Sequence, residues 1–348
     1  MRGSDMSATT QSDHATVPPA PVALIQLATG YMVSQAVCVA AKLGLADLIA
    51  AGPCRADELA KEVGADVSAL RRLLRMLVAR GVFSEDEGGR FLQSPVSELL
   101  RSGVPGSLRH AVIMWNEEQY SAWGHILHSV RTGETAFNRA FGVGLYSYLG
   151  QHPEAAATFN AAMTNLTTPV AAAVAQAYDF SSCRTVVDIG GGQGILLRAI
   201  LEAYPAARGV LFDLPAVIDD ARPHMVSASF RDRCDLVSGS IFEGVPAGGE
   251  VYLLAQVLHN WDDEHSIAIL KSCHRAMLPN AKVLVIEMLI GSPFAAQADM
   301  HMLAVLGGRE RTEEEYRDLF DRAGFRLTRV IPLAGSQSIV EGARMEAS

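Results

Sequence analysis

One stretch, residues 185–194 (Thr-Val-Val-Asp-Ile-Gly-Gly-Gly-Gln-Gly), restricts what this chain can fold into more than any other. Val186, Val187 and Ile189 supply the unbroken apolar run of a strand covered on both faces. Gly190, Gly192 and Gly194 let the backbone turn through φ > 0 and leave bare main chain for a ligand to approach. The next seven residues are apolar at 196, 197, 200 and 201, the one-sided stripe of a packed helix. A dinucleotide turn needs G-x-G-x-x-G, and Ile195 stands where its third glycine would fall. Asp188 precedes the glycines instead. Its carboxylate would repel a pyrophosphate and suits a positively charged ligand that carries an amino-acid group.

A second apolar strand ends in Asp213, 25 residues after Asp188. An acid at that strand tip is placed to accept hydrogen bonds from both hydroxyls of a ribose. Pro215 offers another role, since an acid ahead of a proline often starts a helix. The two roles are compatible.

The 348 residues leave room for two domains and a large core. A net charge of −9 argues against a nucleic-acid or anionic-membrane partner. No run of 18 apolar residues suggests a membrane span, and the polar first twenty residues lack the apolar core of a signal peptide. Met1-Arg2-Gly3-Ser4 reads as an expression-vector leader, so residues 1–18 are set apart from the fold. Cys38, Cys54, Cys183, Cys234 and Cys273 form no C-x-x-C pair, which predicts reduced thiols in a cytoplasmic protein and no zinc site.

Residues 19–175 read as a helical domain. Residues 23–41 are apolar nearly all round, a helix that needs cover on every side; a second copy of the chain is the expected cover. Asp66 is a plausible N-cap and Gly81 a stop for a helix whose stripe is Leu70, Leu73, Leu74 and Leu77. Two short strands around residues 82–92 complete a pattern like a winged helix. Winged helices often bind DNA, and Arg71, Arg72, Arg75 and Arg80 are available for phosphates. In an acidic chain without other basic excess they read better as a solvated face paired with acids such as Asp57, Glu58 and Asp86, and the unit as a dimerisation module. Residues 115–165 are rich in aromatic and Met side chains; Trp115 and Met163 are the pocket candidates among them, beside the ordinary reading that such residues fill a helical core.

Residues 176–348 alternate strand and helix, with strands expected at 185–189, 208–212, 234–238, 251–255, 282–287, 326–331 and 337–341. The fold class is therefore α/β, a mostly parallel seven-stranded Rossmann-like sheet behind a helical domain. In such sheets ligands sit outside the carboxyl ends of the strands. After the third strand, Ser240 and Ile241 are placed to meet an adenine, although a plain turn explains them equally well. After the fourth, His259 and Trp261 share a loop that leads into Asp262-Asp263-Glu264, acids suited to a helix start. His259 is placed as a general base. Either Glu287, at the end of the fifth strand, or Glu310, in a later loop, could accept from its ring N–H and stabilise the imidazolium.

Four motifs in this order, Asp188-Ile-Gly-Gly-Gly-Gln-Gly194, Leu-Phe-Asp213-Leu-Pro, Val-Leu-His259-Asn-Trp261-Asp-Asp and Gly-Gly-Arg-Glu310-Arg-Thr-Glu-Glu-Glu-Tyr, resemble the S-adenosylmethionine-dependent small-molecule O-methyltransferases of the caffeic-acid type. The wording of residues 44–49, 145–149 and 207–211 leans toward bacterial phenazine methyltransferases. The resemblance implies a class I methyltransferase domain, a homodimer and S-adenosyl-L-methionine as cofactor, with S-adenosyl-L-homocysteine as product. It implies that Asp188, Gly190, Gly192, Asp213, Leu214, Ser240, Ile241, Gln256 and Trp261 hold the cofactor. It further implies that His259, Glu287 and Glu310 are catalytic and that Trp115, Met163, Asn260 and Met302 line the site of a hydroxylated aromatic substrate from antibiotic-type metabolism. Two positions depart from the pattern: Ser240 and Asn260 both stand where Asp is usual. A relative of the fold without methyl transfer is the competing expectation; His259 favours methylation. An ordinary imidazole lies about 3.5 pKa units below a phenol, so full proton transfer is uphill by roughly 5 kcal/mol and partial transfer must suffice.

Overall fold

The computed structural model describes residues 18–225 and 230–345. The leader expected at residues 1–18 therefore lies, but for its last residue, outside the described residues.

Strands β1 (Ser84–Glu85) and β2 (Phe91–Leu92) form a small antiparallel hairpin. The main sheet comprises β3 (Thr185–Ile189), β4 (Arg208–Asp213), β5 (Cys234–Ser238), β6 (Val251–Ala255), β7 (Lys282–Met288), β8 (Phe325–Pro332) and β9 (Gln337–Arg344). Its order is β5-β4-β3-β6-β7-β9-β8. The first five in that order are parallel, and β9 runs antiparallel to both β7 and β8. All seven expected strands exist. β9 extends past residue 341 because Gly342 and Ala343 pair with Val283 and Lys282 of β7.

Side-chain alternation divides the core between the two faces of the sheet. Val186, Leu211, Leu253 and Leu284 pack with helices Pro153–Ala177 and Ile195–Ala203. Val187, Ile189, Phe212, Leu254 and Val285 pack with helices Asp263–Ala276 and Glu313–Ala323. Each such buried apolar side chain contributes about 1.5–3 kcal/mol. The strand order reverses between β3 and β6, so the crevice that accepts ligands in open sheets opens there.

In the N-terminal part, the continuous helix expected over residues 23–41 is replaced by two, Ala20–Ala28 and Gly30–Lys42, bent by 43°. The Thr29 hydroxyl turns back onto the Ile25 carbonyl at 2.7 Å, and Gly30 brings no side chain to support a continuation. The second helix buries Ala36, Cys38, Ala40 and Ala41, while Val22, Leu24, Ile25, Leu27, Tyr31 and Met32 stay exposed. Among the described residues no single helix is long and apolar enough to cross a membrane.

Asp66 caps its helix through the Ala69 N–H at 2.8 Å, and Gly81 follows with φ +72°. Leu70, Leu74 and Leu77 are buried and Leu73 half-buried. The four arginines of that helix are exposed, as a solvated face requires. Among the described residues their expected pairing does not form: Glu58 accepts from the Arg55 N–H at 2.7 Å and Asp86 pairs with Arg90 at 2.8 Å, partners nearer in sequence. The alanine tracts at 155–157 and 171–173 belong to one helix, Pro153–Ala177, which packs on Arg109–Asn116 and on Ile195–Ala203.

Candidate active site

The chemistry gathers at the carboxyl ends of β3 to β7. In the turn after β3, Gly190, Gly192 and Gly194 have φ of 68°, 56° and 74°, the left-handed turn that needs glycine. A Cβ on Gly192 would meet open space, so this bare backbone faces a cleft and not the core. Asp188 is 1 % exposed, and neither of its carboxylate oxygens has a hydrogen-bond partner. Burial, and then the charge of Asp213, push its carboxyl up to about 7. A buried acid with no donor is costly unless a ligand supplies one. That orphan beside an open glycine turn fits a cofactor carrying an ammonium group.

Asp213, at the tip of β4, accepts from the Gly192 N–H at 2.9 Å and from the Leu214 N–H at 2.7 Å. It therefore braces the glycine turn, a role that local sequence did not suggest. Leu214 is exposed next to it. After β5, the Ser240 carbonyl accepts from the N–H groups of Glu243 and Gly244, and Ile241 leans on the core. Trp261 meets Phe242 edge to face at 4.8 Å, which adds Phe242 to the rim of this cleft.

Beyond β6 the chain makes a strained turn. Gln256 adopts φ 56° without being glycine, and its carbonyl accepts from the Asn260 amide at 3.1 Å. The short 3₁₀ turn Leu258–Asn260 then points His259 inward, 8 % exposed. Its Nδ1 lies 2.9 Å from Glu310 Oε1 and 3.2 Å from Glu287 Oε2, so both carboxylates face one ring nitrogen. Glu287 Oε1 also accepts from the main-chain N–H groups of Leu258 and His259, at 3.0 and 3.3 Å. Both glutamates are fully buried. Burial alone would lower the imidazole; the Glu287 charge and the Glu310 hydrogen bond outweigh it and lift His259 to about 9. Burial pushes the Glu287 carboxyl upward, against the pull of the imidazolium. With Nδ1–H engaged, Nε2 is the nitrogen left for proton exchange with a ligand. The donor atoms of the three groups lie within 4.8 Å of one another, a spacing that would also admit a divalent cation.

The sequence motifs held more than was read from them. Gly308 must lack a side chain, because a Cβ there would run into the His259 carbonyl. Arg311 is fully buried and clamps the His259 loop, donating to the Leu258 carbonyl at 3.1 Å, the Trp261 carbonyl at 2.9 Å and Asp263 at 2.8 Å. Asp299 accepts from the Glu310 N–H at 2.9 Å. The run Gly-Gly-Arg-Glu-Arg was the available signal. Asp262 accepts from the His265 N–H at 2.9 Å, the helix start expected of it.

The substrate candidates scatter. Met302 lies half-buried on helix Pro293–Val305, which carries Asp299, and Asn260 adjoins His259. Met163 packs against Ala111, Met114 and Ala162 in a helical core. Trp115 is 39 % exposed, and among the described residues no hydrogen bond or ring contact joins it to the His259 group.

Comparison with known proteins matches residues 123–326 to the O-methyltransferase domain and residues 25–103 to the O-methyltransferase dimerisation domain. The chain is 48% identical to a phenazine O-methyltransferase, PhzM, of Lysobacter antibioticus over 336 residues, 95% of this chain and 98% of that one. The crystal structure of LaPhzM superposes with a TM-score of 0.90, covering 94% of this chain and 100% of the other at 48% identity. An O-methyltransferase from neocarzinostatin biosynthesis, solved with S-adenosylmethionine and 2-hydroxy-5-methyl naphthoic acid, superposes with a TM-score of 0.80 at 35% identity, covering 90% and 96% of the two chains.

Proposed function

The chain belongs to the S-adenosylmethionine-dependent O-methyltransferases, and we propose that it methylates a phenolic hydroxyl of a small aromatic metabolite of the phenazine, polyketide or similar antibiotic type, with His259 as the base. The observation that carries this reading is the pair of buried carboxylates on His259 Nδ1, which leaves Nε2 alone to take a proton. S-adenosylmethionine, when bound, supplies the methyl group that the deprotonated oxygen accepts. Asp188, Gly190 and Gly192 receive its amino-acid end, since the orphaned carboxylate lacks only a cation. Asp213 and Leu214 take the ribose; Ser240, Ile241, Gln256 and Trp261, joined by Phe242, take the base and its surroundings.

A His259 lifted to about 9 lies roughly one unit below a phenol, so proton transfer is uphill by about 1.4 kcal/mol, against roughly 5 for an ordinary imidazole. Glu310 and Glu287 stabilise the imidazolium that results. Both carboxylates and the Arg311 clamp hold the ring in place, so that orientation and not electrophilic activation lowers most of the barrier. Met302 and Asn260 line the acceptor side.

The acceptor class is supported by the relatives, which include a phenazine O-methyltransferase and a structure holding a hydroxynaphthoic acid. The chain acts as a homodimer: the exposed apolar side chains Ile25, Leu27, Tyr31 and Met32 lie in the segment matched by the dimerisation model, and Val22 and Leu24 continue the row just ahead of it. Residues 19–175 form that helical unit and residues 176–348 the catalytic domain. The free thiols fit a reducing cytoplasm. Labelled methyl transfer to hydroxyphenazines, hydroxynaphthoates and catechols, read by mass, tests the reading. Incorporation into none of the three classes overturns it.

A further inference from the structure

Two buried carboxylates share a single proton behind the His259 ring. Nδ1 carries one hydrogen, and it goes to Glu310 Oε1 at 2.9 Å. Glu287 Oε2 lies 3.2 Å from the same nitrogen and has no hydrogen-bond partner, and neither has Glu310 Oε2, although both side chains are fully buried. Buried carboxylate oxygens ordinarily find donors. The other oxygen of Glu287 does, in the main-chain N–H groups of Leu258 and His259. That carboxylate is therefore anchored on one side, and its bare oxygen is the one turned toward the imidazole.

The dimensions suit a particular occupant. Zinc holds imidazole nitrogen at about 2.0–2.1 Å and carboxylate oxygen at about 2.0–2.2 Å, so two ligands of one tetrahedral ion stand roughly 3.3 Å apart. The observed 2.9 and 3.2 Å are close to that edge, and the donor atoms of all three residues lie within 4.8 Å of one another. The N–H groups on Glu287 Oε1 already supply the outer hydrogen bonds that orient a metal-binding carboxylate. Two carboxylates against one imidazole also leave a negative charge that one proton offsets only in part. Arg311, the cation that clamps this loop, is paired with Asp263 at 2.8 Å. An imidazole with two carboxylates in a tight set favours zinc over magnesium, which keeps an octahedral shell and several waters.

We propose that His259 Nδ1, Glu287 Oε2 and Glu310 Oε1 form a zinc site, and that its occupation switches the enzyme off. The ion takes the lone pair of Nδ1, so the one proton that a neutral imidazole carries sits on Nε2. Nε2 then has no lone pair with which to accept the proton of the acceptor hydroxyl. The site stands on the geometry alone, whereas the loss of turnover rests on His259 being the base. Both carboxylates are shut off from solvent, so the ion enters when the loop carrying Glu310 opens locally.

The test incubates wild-type enzyme, His259→Ala and Glu310→Gln with micromolar zinc chloride, removes the free ion and measures bound zinc by mass spectrometry. S-adenosylhomocysteine affinity by calorimetry reports that each variant is folded. The wild-type chain should retain about one zinc more than either variant; the five free cysteines are present in all three and cancel in the difference. Zinc-edge X-ray absorption should show nitrogen and oxygen neighbours for that ion. Wild-type turnover should fall at least about tenfold and return with EDTA, while the residual turnover of Glu310→Gln changes less than twofold. Equal zinc content in the three proteins, or sulfur neighbours around the extra ion, overturns the site. Zinc held there with turnover undiminished upholds the site and breaks the reading of His259 as the base.

Discussion

Two buried glutamates on neighbouring strands of one sheet have opposite fates. Glu341 on β9 is 2 % exposed and accepts from Tyr178 at 2.7 Å, Thr328 at 2.5 Å, Arg329 at 3.0 Å and Lys282 at 3.2 Å. Burial works against its charge, but those donors outweigh it and hold the carboxyl down to about 2. Glu287 on β7 is fully buried too, yet only one of its oxygens has hydrogen-bond donors; the other is kept for His259. The satisfied carboxylate ties strands together. The unsatisfied one is poised for a proton. The donors that fold around a buried acid, more than its depth, separate architecture from chemistry.

The comparison can be broken at four points. His259→Ala should lower kcat by at least about a hundredfold while S-adenosylhomocysteine affinity by calorimetry stays within a few-fold; undiminished turnover would remove the base. Glu310→Gln takes away one of the two charges that raise His259. Because the raised imidazole keeps its proton below about 9, kcat/KM should climb with pH and level off near 9 in the wild-type enzyme. In Glu310→Gln the rise should end at lower pH, with kcat down on the order of thirtyfold; an unmoved profile would mean that the carboxylate does not act through the imidazole. Asp213→Ala, at an acid that braces the glycine turn and to which we assign the ribose, should weaken cofactor binding about tenfold with a much smaller change in kcat at saturation. Glu341→Gln should show the reverse pattern, costing about 2 kcal/mol and a few degrees of Tm while kcat stays within twofold. Loss of activity at full stability in that variant would erase the distinction between the two glutamates.

Much of this was legible locally. Periodicity and turn chemistry act over a few residues, so the seven strands, the glycine turn, the Asp66 cap and the Asp262 helix start could be read directly. The break at Thr29 was missed because the apolar pattern runs straight through it, while the cause is one hydroxyl turned onto a carbonyl. The pairing of the surface arginines was missed because exposed charges choose among many weak partners. Trp115 and Met163 were drawn from a stretch whose composition fits a pocket wall and a helical core equally well, and Met163 packs in such a core.

What the sequence determined alone was the order of the parts: an acid and glycines after one strand, an acid after the next, a histidine after a later one. Strand tips share one edge of a parallel sheet, so that order already placed these groups together. Only the tertiary structure decided that Glu287 and Glu310 both face Nδ1 of His259. Such contacts depend on how helices and loops close over the sheet, and ångström-scale distances between distant segments leave no periodic trace in the chain.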